Sequence, residues 1–77
     1  MRRITEKQLE SRIKVINSYT NNKYNIKLQR MLDYYLIVNG KEINEKQWNG
    51  KQVMEYLDKT FNDEIRKIVI EMNKENQ

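Results

Sequence analysis

The apolar residues in the last third of the chain form the longest periodic pattern in the sequence. They recur three or four positions apart, the spacing that places side chains on one face of an α-helix: Val53, Leu57, Phe61, Ile65, Ile68 and Met72. A single helix over this segment would extend beyond the short strands predicted before it. The unbroken phase of the stripe favours a kinked or continuous helix over a break at Asn62-Asp63.

A second helix is predicted near the start of the chain. Thr5 and Gln8 have the spacing of a capping box, in which each side chain bonds the other residue's backbone N–H. Leu9, Ile13 and Ile16 then fall on one helical face. The asparagines that follow Tyr19 tolerate the left-handed conformation that closes a helix. We therefore expect this helix to end near Tyr19.

The middle of the chain has the pattern of an antiparallel meander. Apolar and polar residues alternate over residues 24–28, and residues 34–38 read Y-Y-L-I-V, a run typical of a buried strand. Asn39-Gly40 follows directly and predicts a tight hairpin turn, because both residues accept positive φ. A short charged strand, residues 41–43, completes the meander. Asn49 is the expected N-cap of the C-terminal helix, with Trp48 packed at the edge of the core.

These elements predict one small α+β domain over residues 1–77. Its order is an N-terminal helix, a three-stranded antiparallel meander and a long or kinked C-terminal helix (α-β-β-β-α). Residues 73–77 are polar, and we expect them to fray.

The composition argues against an enzyme. The chain contains no cysteine and no histidine, so it has neither a thiol nucleophile nor an imidazole base or metal ligand. Neither a glycine-rich phosphate loop nor a close set of carboxylates is present. We predict no catalytic residue, no metal and no cofactor. With no apolar run long enough to span a bilayer and no signal peptide, we expect a cytoplasmic protein without a membrane partner.

Positive charge is concentrated in the first part of the chain. Residues 1–31 hold eight of the 15 Lys and Arg residues and only two of the 11 acidic ones. Such asymmetry fits a surface that contacts a polyanion. A small DNA- or RNA-binding regulator is therefore an alternative function, and its candidate contacts are Arg2, Arg3, Lys7, Lys14, Lys23, Lys27 and Arg30. No recognisable nucleic-acid-binding motif supports it, and solubility is an equally simple explanation.

The distal part of the C-terminal stripe favours protein binding. Ile65, Ile68, Val69 and Met72 exceed the apolar surface that a three-stranded sheet and one helix would cover. Ile70 lies off the main stripe, and a helix that is apolar on more than one side is usually buried on more than one side. We expect these four residues to form an interface with another protein or with a second copy in a homodimer. The alternative is that a bent second helix folds back and buries them internally.

Three segments give the chain a loose resemblance to a family. K-Q-L-E-x-x-I-K-x-I-N-x-Y-T (residues 7–20), Y-Y-L-I-V-N-G-K and V-M-E-Y-L resemble patterns in short uncharacterised proteins encoded by bacteriophages and prophages. The similarity spans residues 5–61, but Arg30-Met31-Leu32-Asp33 stands where that family usually has Gly-Gly. It implies a viral accessory role in the host cytoplasm, such as inhibition of a host replication or defence (anti-CRISPR-like) factor. It supplies no functional residues.

Overall fold

The computed structural model describes residues 3–75, with side-chain surroundings given for residues 3–71. The elements follow one another as α1 (Glu6–Tyr19), β1 (Ile26–Arg30), β2 (Tyr34–Val38), β3 (Lys41–Glu42), α2 (Gly50–Thr60) and α3 (Asn62–Glu75). The three strands form one antiparallel sheet in the order β1-β2-β3. The predicted small α+β architecture is confirmed.

Both predicted helix starts are present as capping boxes. The Thr5 side chain accepts the Gln8 N–H at 3.2 Å, and the Gln8 side chain accepts the Thr5 N–H at 2.9 Å. Asn49 and Gln52 make the same reciprocal pair at the start of α2. These side chains satisfy backbone N–H groups that the first helical turn leaves free, so they set where each helix begins.

The sheet differs from the prediction at its first strand. β1 starts at Ile26 instead of Tyr24 and continues to Arg30. The reason is Asn25, whose φ of +42° interrupts the extended backbone. The Asn39-Gly40 turn forms as predicted, with φ of +53° and +79°. β3 is one residue shorter than expected and ends at Glu42.

All three helices pack around one apolar core beside the sheet. Ile26, Tyr34 and Leu36 point from the sheet towards buried residues of α1, of α2 and of the junction that follows α2: Leu9, Ile13, Ile16, Val53, Leu57 and Phe61. Lys27 and Gln29 alternate with the buried positions of β1 and are exposed on the opposite face. Within the described residues, the helices therefore pack on one face of the sheet only.

The helices are arranged by a few specific contacts. α1 and α2 lie side by side and run in the same direction. Two contacts show this: Ile4 lies against Gly50 near the start of both helices, and Arg12 pairs with Asp58 further along both helices. A Cβ atom on Gly50 would lie 2.8 Å from the Ile4 carbonyl oxygen, so this approach requires glycine. α1 lies along β1 in the opposite sense: Glu6 bonds Arg30, and Asn17 bonds Ile26.

The C-terminal stripe forms two helices. α2 ends at Thr60, and Phe61, with φ −107° and ψ +26°, separates it from α3. The chain therefore leaves helical geometry one residue before Asn62-Asp63, the break that the phase of the stripe did not favour. α3 then contacts α1. It continues to Glu75, into the segment predicted to fray, and residues 76 and 77 lie outside the described part of the chain.

No described helix is both long enough and apolar enough to cross a membrane.

Candidate functional site

The four residues predicted to form an interface have different surroundings. Ile68 is only 6% exposed and Ile65 packs against the core, so both are largely covered by the chain itself. Val69 is 50% exposed. The side chain of Met72 lies outside the described residues. Internal packing therefore accounts for half of the predicted set, and Ile68 offers almost no surface to a partner.

Four of the described large apolar residues that remain exposed are on α1 and α3, and two others, Met31 and Leu32, are on the loop between β1 and β2. Val69 and its neighbour Ile70, which is 54% exposed, lie on α3, and Val15 and Tyr19 are exposed on α1. Val15 and Tyr19 are four residues apart and so lie next to each other on that helix. We call these four residues the helical apolar surface. The two helices that carry it are in contact with each other.

The side of α1 that carries Tyr19 is the side that meets the other helices. Tyr19 is seven residues after Arg12, which places the two on nearly the same side of the helix. The Arg12–Asp58 ion pair shows that this side faces α2. Tyr19 is therefore placed beside the C-terminal helices and not over the sheet.

A hydrogen bond helps to fix the start of α3. The Tyr24 hydroxyl donates to Glu64 Oε1 at 3.1 Å, and the Tyr24 ring meets Phe61 edge-on at 4.9 Å between centroids. The bond to the Glu64 carboxylate raises the pKa of Tyr24 above its usual value, with desolvation as a second cause. These contacts hold Phe61 in the core, where the chain turns from α2 into α3.

The described basic residues proposed to contact nucleic acid line three different depressions of the surface, or lie outside them. Lys14 and Lys27 line a groove between α1 and β1 together with Glu10. Lys7 lines a different depression, between α1 and α2, while Arg3 and Arg30 line a third beside the β1–β2 loop. Lys23 is exposed after α1, and Arg2 lies outside the described residues.

Acidic side chains lie among these basic groups. Arg30 donates to Glu6 at 2.7 Å, and this bond raises the pKa of the guanidinium further. The positive charge of Arg30 is thus already paired within the chain, which weakens its attraction for a phosphate.

Two observations on the described side chains are relevant to catalysis. Residues 3–71 contain no group of three or more acidic side chains placed to hold a metal ion. Ser11 and Ser18 are exposed on α1, in a sequence that has no histidine to activate them.

Several exposed apolar residues were not identified from the sequence. Val15 and Tyr19 are on α1, and Met31 and Leu32 form the β1–β2 loop, where Leu32 is 94% exposed. The helical spacing does contain a signal for Val15, because it lies about 200° from Ile13 at 100° per residue. No such periodic signal exists for the loop, whose exposure depends on how the strands pair.

Comparison with known proteins gives no relative. The sequence matches no protein-family model, and neither the curated proteins nor the solved structures contain a significant match to it.

Proposed function

We propose that this protein is a non-enzymatic binding protein whose partner is another protein. The observation that carries the proposal is the helical apolar surface. Val69 and Ile70 present about half of their side-chain surface to solvent on a helix that already buries Ile68 in the chain. Exposed apolar side chains grouped on neighbouring elements are typical of protein interaction sites.

Burial of the helical apolar surface would favour association with a partner. Full burial of one large aliphatic side chain contributes about 1.5–3 kcal/mol, and the members of this surface are already partly covered. Together they would add several kcal/mol to association, before the cost of ordering the two partners. That gain suits a moderate interface with an apolar centre and a polar rim.

Two kinds of partner fit this surface. The first is a second copy of this chain, which would give a homodimer. The second is a host protein, since the resemblance to phage proteins suggests an accessory role in which a host replication or defence factor is bound and inhibited. Both place the protein in the cytoplasm, and both use the same exposed apolar residues.

Sedimentation velocity of the wild type and of Val69→Asp tests the homodimer. We expect the average mass of the wild type to rise with concentration up to about 1 mM, the weak end of specific association, and Val69→Asp to remain monomeric. Asn62→Asp is the matched control, because it adds the same charge at an exposed polar position of the same helix.

A wild type that stays monomeric over this range contradicts self-association. The host-protein form of the proposal is then tested by affinity capture with wild type and Val69→Asp. A captured protein that both retain equally would show that the helical apolar surface is not the binding site.

A further inference from the structure

The outer edge of β1 has backbone groups that the sheet does not use. In β2, the Leu36 N–H donates to Asn44 Oδ1 and the Leu36 carbonyl accepts the Ile43 N–H, so both groups point away from β1. Leu36 is paired with Leu28. In an antiparallel ladder, paired residues that do not bond each other direct their N–H and C=O groups outward. Leu28 therefore directs both groups to the free edge of the sheet.

Arg30 repeats this arrangement. Its partner in the ladder is Tyr34, and the N–H and C=O groups of Tyr34 are both bonded to Trp48 at 2.9 Å, again away from β1. Leu28 and Arg30 thus present two outward N–H and C=O pairs, roughly 7 Å apart along the strand. An extended peptide has the same repeat.

Asn17 shows how such an edge is satisfied. Its side-chain amide donates to the Ile26 carbonyl at 2.9 Å and accepts the Ile26 N–H at 3.0 Å. These are the two bonds that a neighbouring strand would make to Ile26. At Leu28, the next outward position, no described residue takes the corresponding place. Asn17 therefore bonds the outward backbone groups of β1 at Ile26, whereas those from Leu28 onwards remain available to another strand.

A groove between α1 and β1 meets this edge at Leu28 and extends from there towards Asn17. It has a volume of about 660 Å³ and is lined by the apolar residues Ile13, Ile26 and Leu28 and by the polar residues Asn17, Ser18 and Asn22. Lys14 and Lys27 lie along it, with Glu10 as the one acidic side chain. An open strand edge next to a helix, with an apolar floor, is the geometry in which domains bind peptides by strand addition.

We propose that an extended segment of a partner protein binds in this groove as a fourth, antiparallel strand on β1. Its central apolar side chain lies opposite Leu28 and covers the floor of the groove. The following residue lies opposite Lys27 and is acidic, because opposite charges directly across a strand pair stabilise it. This inference rests on the protein-binding class proposed above but uses a different surface.

A second copy of the chain is a poor occupant for this edge. An antiparallel pair of β1 strands centred on Leu28 would place Lys27 of one copy diagonally across from Lys27 of the other, within reach of a long side chain. Like charges on paired strands destabilise them. An acidic segment from another protein meets no such repulsion.

The heptapeptide Thr-Val-Thr-Val-Glu-Thr-Thr, acetylated and amidated at its ends, is a direct probe. Its central valine is placed opposite Leu28 and its glutamate opposite Lys27. In ¹⁵N NMR titrations we expect saturable shifts at the Leu28 and Arg30 amides and about tenfold slower hydrogen exchange at Leu28 when the peptide is bound.

Two comparisons, one between two peptides and one between two protein variants, distinguish strand addition from non-specific binding. N-methylation of the central valine removes one backbone donor and should weaken binding by roughly tenfold. Lys27→Glu should weaken binding of the unmodified peptide by roughly tenfold, because it places two carboxylates opposite each other, whereas Lys41→Glu, at an exposed position of β3, should not change it.

The strand site is overturned if the Leu28 and Arg30 amides do not shift at about 5 mM peptide, a concentration that would reveal even millimolar affinity. Equal binding of the N-methylated peptide also overturns it. Hydrogen exchange at Leu28 that slows as the protein concentration rises, with no peptide present, also overturns it. Such slowing would show that a second copy of the chain occupies the edge. Val69→Asp should bind the peptide as the wild type does, so a failure here and a failure of the helical apolar surface are distinguishable.

Discussion

At the scale of single residues, two asparagines act as substitutes for strands. Asn17 bonds the outer edge of β1 at Ile26. Asn44, which is 4% exposed, accepts the Leu36 N–H at 3.0 Å and donates to the carbonyls of Tyr34 and Lys46. β3 is too short to reach this part of β2, and the Asn44 amide makes the bonds that a longer strand would have made.

Replacement of Asn44 should therefore be costly. Asn44→Ala leaves the buried Leu36 N–H without an acceptor, and we expect the free energy of unfolding to fall by about 2–3 kcal/mol. Urea denaturation followed by circular dichroism measures this. Glu45→Ala, at the adjacent exposed position, is the control and should stay within about 0.5 kcal/mol of the wild type. Equal effects of the two substitutions would contradict the role of Asn44.

At the scale of elements, the division of the C-terminal stripe decides which residues are core and which are surface. The backbone bonds from Phe61 to Leu57 and from Ile65 to Phe61 continue across the junction, yet Phe61 leaves helical geometry and is buried beside Tyr24. The change of direction brings α3 against α1. As a result Ile68 is inside the molecule while Val69 and Ile70 are outside.

The two neighbours Ile68 and Val69 should thus respond differently to truncation. Ile68→Ala removes buried methyl groups, and we expect a loss of about 2–3 kcal/mol of unfolding free energy, with faster amide exchange concentrated in α3. Val69→Ala should change stability by less than about 0.5 kcal/mol. Similar effects of both substitutions would show that α3 does not pack through Ile68.

At the scale of the whole molecule, the net charge of +4 is spread over several surfaces. Lys14 and Lys27 border one groove together with Glu10, and Arg3 and Arg30 border another together with Glu6. A nucleic-acid backbone binds best to a continuous row of unpaired cations. This distribution favours a general role in solubility and weak attraction to acidic partners.

The charge distribution leads to a test of the nucleic-acid alternative. We expect the wild type to bind short single-stranded or duplex DNA no more tightly than about 100 µM at physiological salt, within the range of non-specific contacts. Fluorescence anisotropy at two salt concentrations measures this. Submicromolar binding that falls steeply with salt, and that is lost in the variant with Arg3, Lys7 and Lys14 all replaced by Glu, would instead support a DNA- or RNA-binding regulator.

The sequence was sufficient wherever neighbours along the chain control the structure. Thr5 with Gln8 and Asn49 with Gln52 form their capping boxes within a few residues, and Asn39-Gly40 supplies its own positive φ values. The helix–meander–helix order follows from the same local patterns. Local bonds and conformational preferences do not depend on what the rest of the chain does, so they could be predicted.

Contacts between distant residues were decided only by the tertiary structure. The stripe over residues 53–72 has one periodicity, but the packing of Phe61 against Tyr24 and of α3 against α1 divides it into a buried part and an exposed part. The free edge of β1 likewise depends on which residues of β2 face Asn44 and Trp48. Periodicity along one helix or strand determines which side chains share a face, whereas the element that covers that face is determined by the packing of the whole chain.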